Sequence, residues 1–277
     1  MTGNVERGSA GSDVHTERGE LVAQVRQLTK RVADLEAELR TLRDRQLGGN
    51  AGPRFAALYD DFTNRFRGST DDITAKLAGY LPDVRRLVRD GGVVDVGSGR
   101  GEWLRLLHDA GVRACGVDTN PAFVVAARGR GLRVELDDAV AYLNRLPART
   151  VDLVTAFHVI EHLDTEAFLA LLEAAHCALR PGGGILLETP NPANLVMAAC
   201  DFYNDPTHRA PLPAALTEYL VSATGFTDVE VRPLHPSTQE PRPPDGTPAA
   251  LWKLLTSFLF GAQDYAVLGY KPGADRI

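Results

Sequence analysis

The run Val93-Val94-Asp95-Val96-Gly97-Ser98-Gly99-Arg100-Gly101-Glu102 reads as an apolar strand that enters a glycine-rich turn and then a helix. Glycines at 97, 99 and 101 let the backbone approach a ligand and take positive φ beside a helix N-terminus, which suits a nucleotide-like cofactor. The spacing is G-x-G-x-G, with Asp95 ahead of the first glycine, rather than the G-x-G-x-x-G of dinucleotide folds. Two further acids sharpen the reading. Asp118 closes the next strand, where a carboxylate accepts from both ribose hydroxyls. Asp138, followed by Ala139, closes the third, where it accepts from an adenine amino group. Either acid alone is equally an ordinary helix N-cap. Three such features in order, at the carboxyl ends of consecutive strands, favour a cofactor site.

With this loop and these acids, residues 54–277 resemble the class I S-adenosylmethionine-dependent methyltransferases. The resemblance implies an α/β, Rossmann-like fold with a seven-stranded, mostly parallel sheet in the order 3-2-1-4-5-7-6. The segment Asp264 to Tyr270 is then its antiparallel seventh strand. It also implies S-adenosyl-L-methionine as cofactor. Gly97, Gly99 and Gly101 pass the methionine portion, Asp118 holds the ribose, and Asp138 with Ala139 meets the adenine. Asp95 and Phe157 complete the expected cofactor set, and Arg67 is placed to pair bidentately with the cofactor carboxylate. For Trp103 and Phe157, packing is the stronger expectation.

Further motifs lie where a methyl acceptor should sit. Phe157-His158-Val159-Ile160-Glu161-His162-Leu163 follows strand four, and Glu188-Thr189-Pro190-Asn191-Pro192 follows strand five. The segment Phe202 to Pro213, with His208 inside it, comes shortly after. Together with Tyr59 and Phe66-Arg67-Gly68-Ser69, the set is similar to methyltransferases of polysaccharide and lipopolysaccharide assembly. That resemblance implies a sugar hydroxyl of a glycan or glycosylated metabolite as acceptor.

An alcohol must lose its proton as the methyl moves in line from sulfonium to oxygen, so either a base or a metal-lowered hydroxyl pKa serves. Glu161, His162 and His208 are expected to converge within a few ångströms, with His158 beside them. A histidine base is the preferred expectation. The alternative is a divalent ion such as Mg²⁺ or Mn²⁺ held by Glu161, His162 and His208. Ubiquinone-pathway O-methyltransferases carry a metal-associated Glu-x-x-Glu-His motif here, and this chain has His158 in place of its first Glu. Two other functions compete: a quinone- or polyketide-like small-molecule O-methyltransferase, and a non-catalytic cofactor-binding scaffold. A nicotinamide-dependent reductase is weakened by the missing G-x-G-x-x-G.

The elements that must position these groups follow from patterning. From Arg54 onward helical and apolar-strand segments alternate, as a parallel sheet with crossover helices requires. Helical stretches near 55–66 and 70–88 precede the first strand. Strands are expected at 92–96, 112–118, 131–136, 151–157, 184–189, 227–233 and 264–270, with Pro181-Gly182-Gly183-Gly184 as punctuation at the fifth. Upstream, residues 1–18 are polar and Gly/Ser-rich and read as a tail. Leu21, Leu28, Leu35 and Leu42 recur every seven residues, with Val25, Val32 and Leu39 between them. This is the seam of a parallel two-stranded coiled coil over 19–46, and it predicts a homodimer. Residues 47–53 read as a linker.

Over 277 residues, 30 Lys+Arg against 36 Asp+Glu leave a net charge of −6, which argues against a general nucleic-acid binder. Three scattered cysteines exclude a disulfide framework. The start lacks an apolar signal core and no apolar run is long enough to span a membrane, so a cytoplasmic protein is expected.

Overall fold

Short runs of β-branched residues bounded by glycine and aspartate build a buried sheet, seen in a computed structural model that describes residues 31, 65, 68–237 and 242–273. The expected tail, linker and, apart from Arg31, coiled coil lie outside the described residues, as do Tyr59, Phe66 and Arg67. The strands are β1 (Val93–Val96), β2 (Ala114–Asp118), β3 (Val134–Leu136), β4 (Val151–Phe157), β5 (Leu179–Pro190), β6 (Thr227–Pro236) and β7 (Ala262–Tyr270). Their order is β3-β2-β1-β4-β5-β7-β6, and β7 runs antiparallel to both of its neighbours. This is the order expected from the sequence.

Helices cover both faces. Tyr142 and Leu143 of α5 (Ala139–Arg145), Phe168 and Leu172 of α6 (Thr165–Ala178) and Val221 of α8 (Ala214–Ala223) pack on one face. On the other lie Leu77 of α1 (Thr70–Leu77), Val84 of α2 (Leu81–Leu87) and Trp103 of α3 (Glu102–Asp109). Val124 and Ala127 of α4 (Pro121–Gly129) bury against Leu132 and Val134 near the β3 edge. The five-residue α7 (Leu195–Ala199) follows β5, and α9 (Ala249–Leu259) precedes β7. No helix among the described residues is long and apolar enough to cross a membrane.

Two elements differ from the sequence expectation. The span expected to be one helix over 70–88 breaks at a 3-10 turn, Ala78–Tyr80, which buries Tyr80 under the sheet edge. Pro181-Gly182-Gly183-Gly184 lies inside β5, which starts at Leu179 instead of the expected 184. The reason is clearance: a Cβ on Gly183 would stand 2.8 Å from the Asp152 carbonyl oxygen. Glycine there lets the two backbones pass.

Asp152, wholly buried on β4, ties three segments together. Its Oδ2 accepts from the backbone N–H of Arg89, Gly91 and Gly92 at 2.6, 2.9 and 3.1 Å. Its Oδ1 pairs with Arg180 Nε at 2.7 Å. The carboxylate thereby fixes the entry into β1 against β4 and β5. Asp152→Ala strands three amide donors and removes the partner of the partly exposed Arg180 guanidinium, so urea unfolding should show a loss of about 3–5 kcal/mol.

Candidate functional site

The glycine loop is held from two sides. Gly97 has φ 65° and donates its N–H to the Val117 carbonyl at 2.8 Å. A Cβ on Gly97 would sit 2.5 Å from Val159 Cγ2, so the loop also abuts the turn that follows β4. Gly99 N–H donates to Asp118 Oδ2 at 2.7 Å, and Asn120 N–H donates to Asp118 Oδ1 at 2.8 Å. Asp118 is therefore not the cap of α4; Asn120 is, accepting from the Ala122 N–H. Gly101, at φ 84°, opens α3.

Asp138 does cap its helix: it accepts from the Ala141 N–H at 2.9 Å, with Ala139 the first residue of α5. Asp95 is buried on β1 and accepts from Thr155 Oγ1 at 2.7 Å. The Phe157 ring stacks on Tyr80 at 5.1 Å and meets Trp103 edge-on at 5.4 Å. With 6% of its surface exposed, Phe157 serves the core, in line with the packing expectation.

Past Phe157 the chain turns sharply. His158 takes φ 55°, unusual for a side chain with a Cβ, and its N–H extends the ladder to the Glu188 carbonyl at 2.8 Å. A 3-10 turn, Ile160–His162, then presents Glu161 and His162. The segment after α7 returns over this turn: Arg209 N–H donates to the Glu161 carbonyl at 2.9 Å, while Phe202 is buried. The result brings His208 to Glu161 and His162. His208 Nε2 lies 4.0 Å from Glu161 Oε1, and the two imidazole centroids are 4.7 Å apart.

Hydrogen bonds assign the ring nitrogens. His208 Nδ1–H donates to the Phe202 carbonyl at 2.6 Å. The single proton of Thr207 Oγ1 goes to Asp205 Oδ1 at 2.5 Å, so His162 Nδ1–H must donate to Thr207 Oγ1 at 2.9 Å. In the neutral rings both Nε2 atoms are then acceptors. Desolvation lowers the His208 pKa; Glu161 opposes this, and His162 adds to it. Glu161 is wholly buried; its Oε2 accepts from Thr189 Oγ1 at 2.9 Å, while Oε1 lacks a hydrogen bond of good geometry. Burial would raise its pKa, but the hydrogen bond and charge of His158, with His162 and His208, bring it to about 2.

His158 itself faces a different environment. Its Nδ1 is 3.3 Å from Glu161 Oε1, and its Nε2 is 3.4 Å from Glu188 Oε1 and 3.9 Å from Asp264 Oδ1. Burial lowers its pKa, yet hydrogen bonds to Glu161 and Glu188 and the charge of Asp264 carry it to about 10. Near neutrality it is an imidazolium, with no lone pair to act as a base. Asp264, His235 and Tyr80 were not singled out as site residues from the sequence, and Glu188 only as the first residue of the motif after strand five. Tyr80 donates to Glu188 Oε2, and His235 Nδ1 lies 2.9 Å from Asp264 Oδ2. The available signal was a lone acid in each of two strands otherwise buried and apolar.

These features meet the known proteins at one point. The sequence profile of the Methyltransferase domain family matches residues 62–231. A solved S-adenosylmethionine-dependent methyltransferase from Archaeoglobus fulgidus superposes with a TM-score of 0.69 at 30% identity, over 77% of this chain and 99% of that one. The chain belongs to the S-adenosylmethionine-dependent methyltransferases. Probable members from Mycolicibacterium smegmatis and Mycobacterium tuberculosis are each 34% identical, over 134 and 140 residues. Those matches cover 48% and 50% of this chain, and 51% and 49% of the relatives, so the chain spans about half the length of the curated relatives it matches.

The charge state of His158 has a measurable sign. Its folded pKa of about 10 lies above the ordinary value of about 6.5. Its stabilisation is fully present below about pH 6.5 and is lost as pH rises through about 10. Between those limits the melting temperature of the wild type should fall more steeply than that of His158→Gln. Parallel curves would contradict the assignment.

Proposed function

We propose that the chain transfers the methyl group of S-adenosylmethionine to an alcohol oxygen, with a sugar hydroxyl of a glycan or glycosylated metabolite as acceptor. The observation that carries this reading is the convergence of Glu161, His162 and His208 with both Nε2 lone pairs unspent. An alcohol gives up its proton only near the end of methyl transfer, so a poised acceptor nitrogen beside the oxygen is what the reaction needs. Desolvation keeps His208 neutral near pH 7, and its Nδ1–H bond to the Phe202 carbonyl aims the ring. His208 is thus the favoured base, with His162 held in the same tautomer through Thr207 and Asp205.

The cofactor residues fit the group that the family uses. Gly97, Gly99 and Gly101 would pass the methionine portion, Asp118 would accept from the ribose hydroxyls, and Asp138 with Ala139 would meet the adenine. S-adenosylmethionine supplies the methyl as an electrophile on sulfonium. The protein holds the ribose at the end of β2 and presents the acceptor oxygen past the end of β4, where ligands of open α/β sheets bind.

A second reading rests on one atom. Glu161 Oε1 is buried and lacks a well-formed hydrogen bond, and two Nε2 acceptors share its surroundings. Two histidines and a carboxylate suit a divalent ion, and the Nδ1–H bonds match the outer shell such ligands receive. Bound there, the ion would lower the pKa of an acceptor hydroxyl. The heptads over 19–46 support a homodimer, which light scattering of the full chain against a variant lacking residues 1–47 would test.

His208→Ala should lower kcat by about 10²–10⁴ and remove the acid limb of the pH–rate profile, which lies below the ordinary imidazole value of about 6.5. Full activity after exhaustive EDTA treatment would leave the base reading; its loss with recovery on adding Mg²⁺ or Mn²⁺ would favour the ion. Methyl transfer to phenolic acceptors but to no glycan would overturn the sugar acceptor. Asp118→Ala should weaken S-adenosylmethionine binding by about 1.5–3 kcal/mol in calorimetry.

A further inference from the structure

We propose that His158, Glu188, Asp264 and His235 form a divalent-cation site, distinct from the Glu161–His162–His208 cluster, suited to a transition ion such as Zn²⁺ or Co²⁺. Four segments supply one side chain each: the residue after β4, the C-terminal part of β5, the end of β6 and the start of β7. The four side chains close a ring, which Asp264 joins through both of its carboxylate oxygens. His158 Nε2 lies 3.4 Å from Glu188 Oε1, which lies 3.7 Å from His235 Nδ1. His235 Nδ1 lies 2.9 Å from Asp264 Oδ2, and Asp264 Oδ1 lies 3.9 Å from His158 Nε2. A tetrahedral ion with ligand bonds near 2.0–2.1 Å has ligand–ligand edges of about 3.3 Å. The ring brackets that length.

Three further observations agree. The non-glycine residues of positive φ among those described are Arg149, His158, Asp228 and His235, so both histidines of the ring sit on bent backbone that turns them inward. Held strain of this kind gathers where a ligand repays it. The outer contacts also suit ligands: Tyr80 donates to the second oxygen of Glu188, and Glu161 Oε1 lies beside His158 Nδ1. Finally, the carboxylate side chains are 4% and 7% exposed while the imidazoles are 33% and 18% exposed, which leaves the histidine side as the entry path. Two buried carboxylates opposite two imidazoles balance a dication. Binding replaces the protons between these donors with the ion and leaves His158 Nδ1 facing the Glu161 carboxylate at 3.3 Å.

The test is Co²⁺ titration of the full-length, chelator-stripped chain at about pH 8, where an ion competes well with ring protons. Wild type should develop the intense visible absorption of four-coordinate Co²⁺. His235→Ala and the near-isosteric Asp264→Asn should lose it, and His162→Ala should keep it. Tyr80→Phe should keep the band but weaken Co²⁺ by about 10–100-fold. Circular dichroism of each variant separates loss of the site from loss of the fold, and His235→Ala, at the more exposed edge, carries the test if Asp264→Asn unfolds. The proposal is overturned by an absent band in wild type, by a band that survives in folded His235→Ala, or by one that disappears in folded His162→Ala. Calorimetry with S-adenosylmethionine on the same sample distinguishes that failure from failure of the methyltransferase reading.

Discussion

One imidazole between three acids organises the carboxyl edge of this sheet. His158 ends β4 and faces Glu161 on one side, with Glu188 and Asp264 on the other. Glu188 and Asp264 belong to the sheet face covered by α1 and α2, whereas Glu161 bonds to Thr189 on the α6 face. The ring therefore links two layers whose charges would otherwise repel. A buried carboxylate without a cationic or hydrogen-bonding partner is strongly disfavoured, so the three acids can be kept this close only with positive charge among them. The left-handed backbone at His158, which costs about 1–3 kcal/mol, is the conformation that lets one ring reach all three.

From that point the candidate acceptor site follows by packing. With Glu161 fixed, its backbone carbonyl accepts from Arg209 and draws the segment 205–209 over the 3-10 turn. Phe202 fills the core beneath, and its carbonyl orients His208. Asp205 and Thr207 then orient His162 through a relay of hydroxyl and carboxylate. Each histidine spends Nδ1 on the scaffold and keeps Nε2 for chemistry. A base and a metal ligand have the same requirement, so the geometry serves either, and the distinction lies in what fills the space between the nitrogens.

Much of the frame was legible in the sequence, because it is written in local patterns. Apolar strand runs, alternation with helices and the glycine loop lead to an α/β sheet, and its observed order of seven strands is the one that the methyltransferase resemblance implies. The meeting of Glu161, His162 and His208 was also legible, since a chain leaving β5 must cross the carboxyl edge to reach β6. The His158 environment was not. Glu188 and Asp264 are brought together by the antiparallel register of β5 and β7, in which Pro190 pairs with Asp264. His235 arrives through the register of β6 with β7. No spacing along the chain encodes these pairings, and each acid looks like an isolated exception within an apolar strand. The unbroken helix expected over 70–88 fails for a related reason: the turn at Ala78–Tyr80 is set by Tyr80 reaching Glu188, a contact across 108 positions.

The same turn joins the two halves of the site. Val159 lies against Gly97 so closely that no Cβ fits between them, while His158 and Glu161 flank it in sequence. The glycine loop and the candidate acceptor residues are thus two sides of one short segment. Asp118 holds the loop from the far side through Gly99. A displacement of the loop by even half an ångström would press on Val159 and shift the carboxylate and imidazoles that follow it. In a methyl transfer, sulfur, carbon and the acceptor atom must lie in line, and misplacement by about an ångström can lower the rate 10²-fold. Sharing one turn between both sides sets their separation by covalent geometry and close packing.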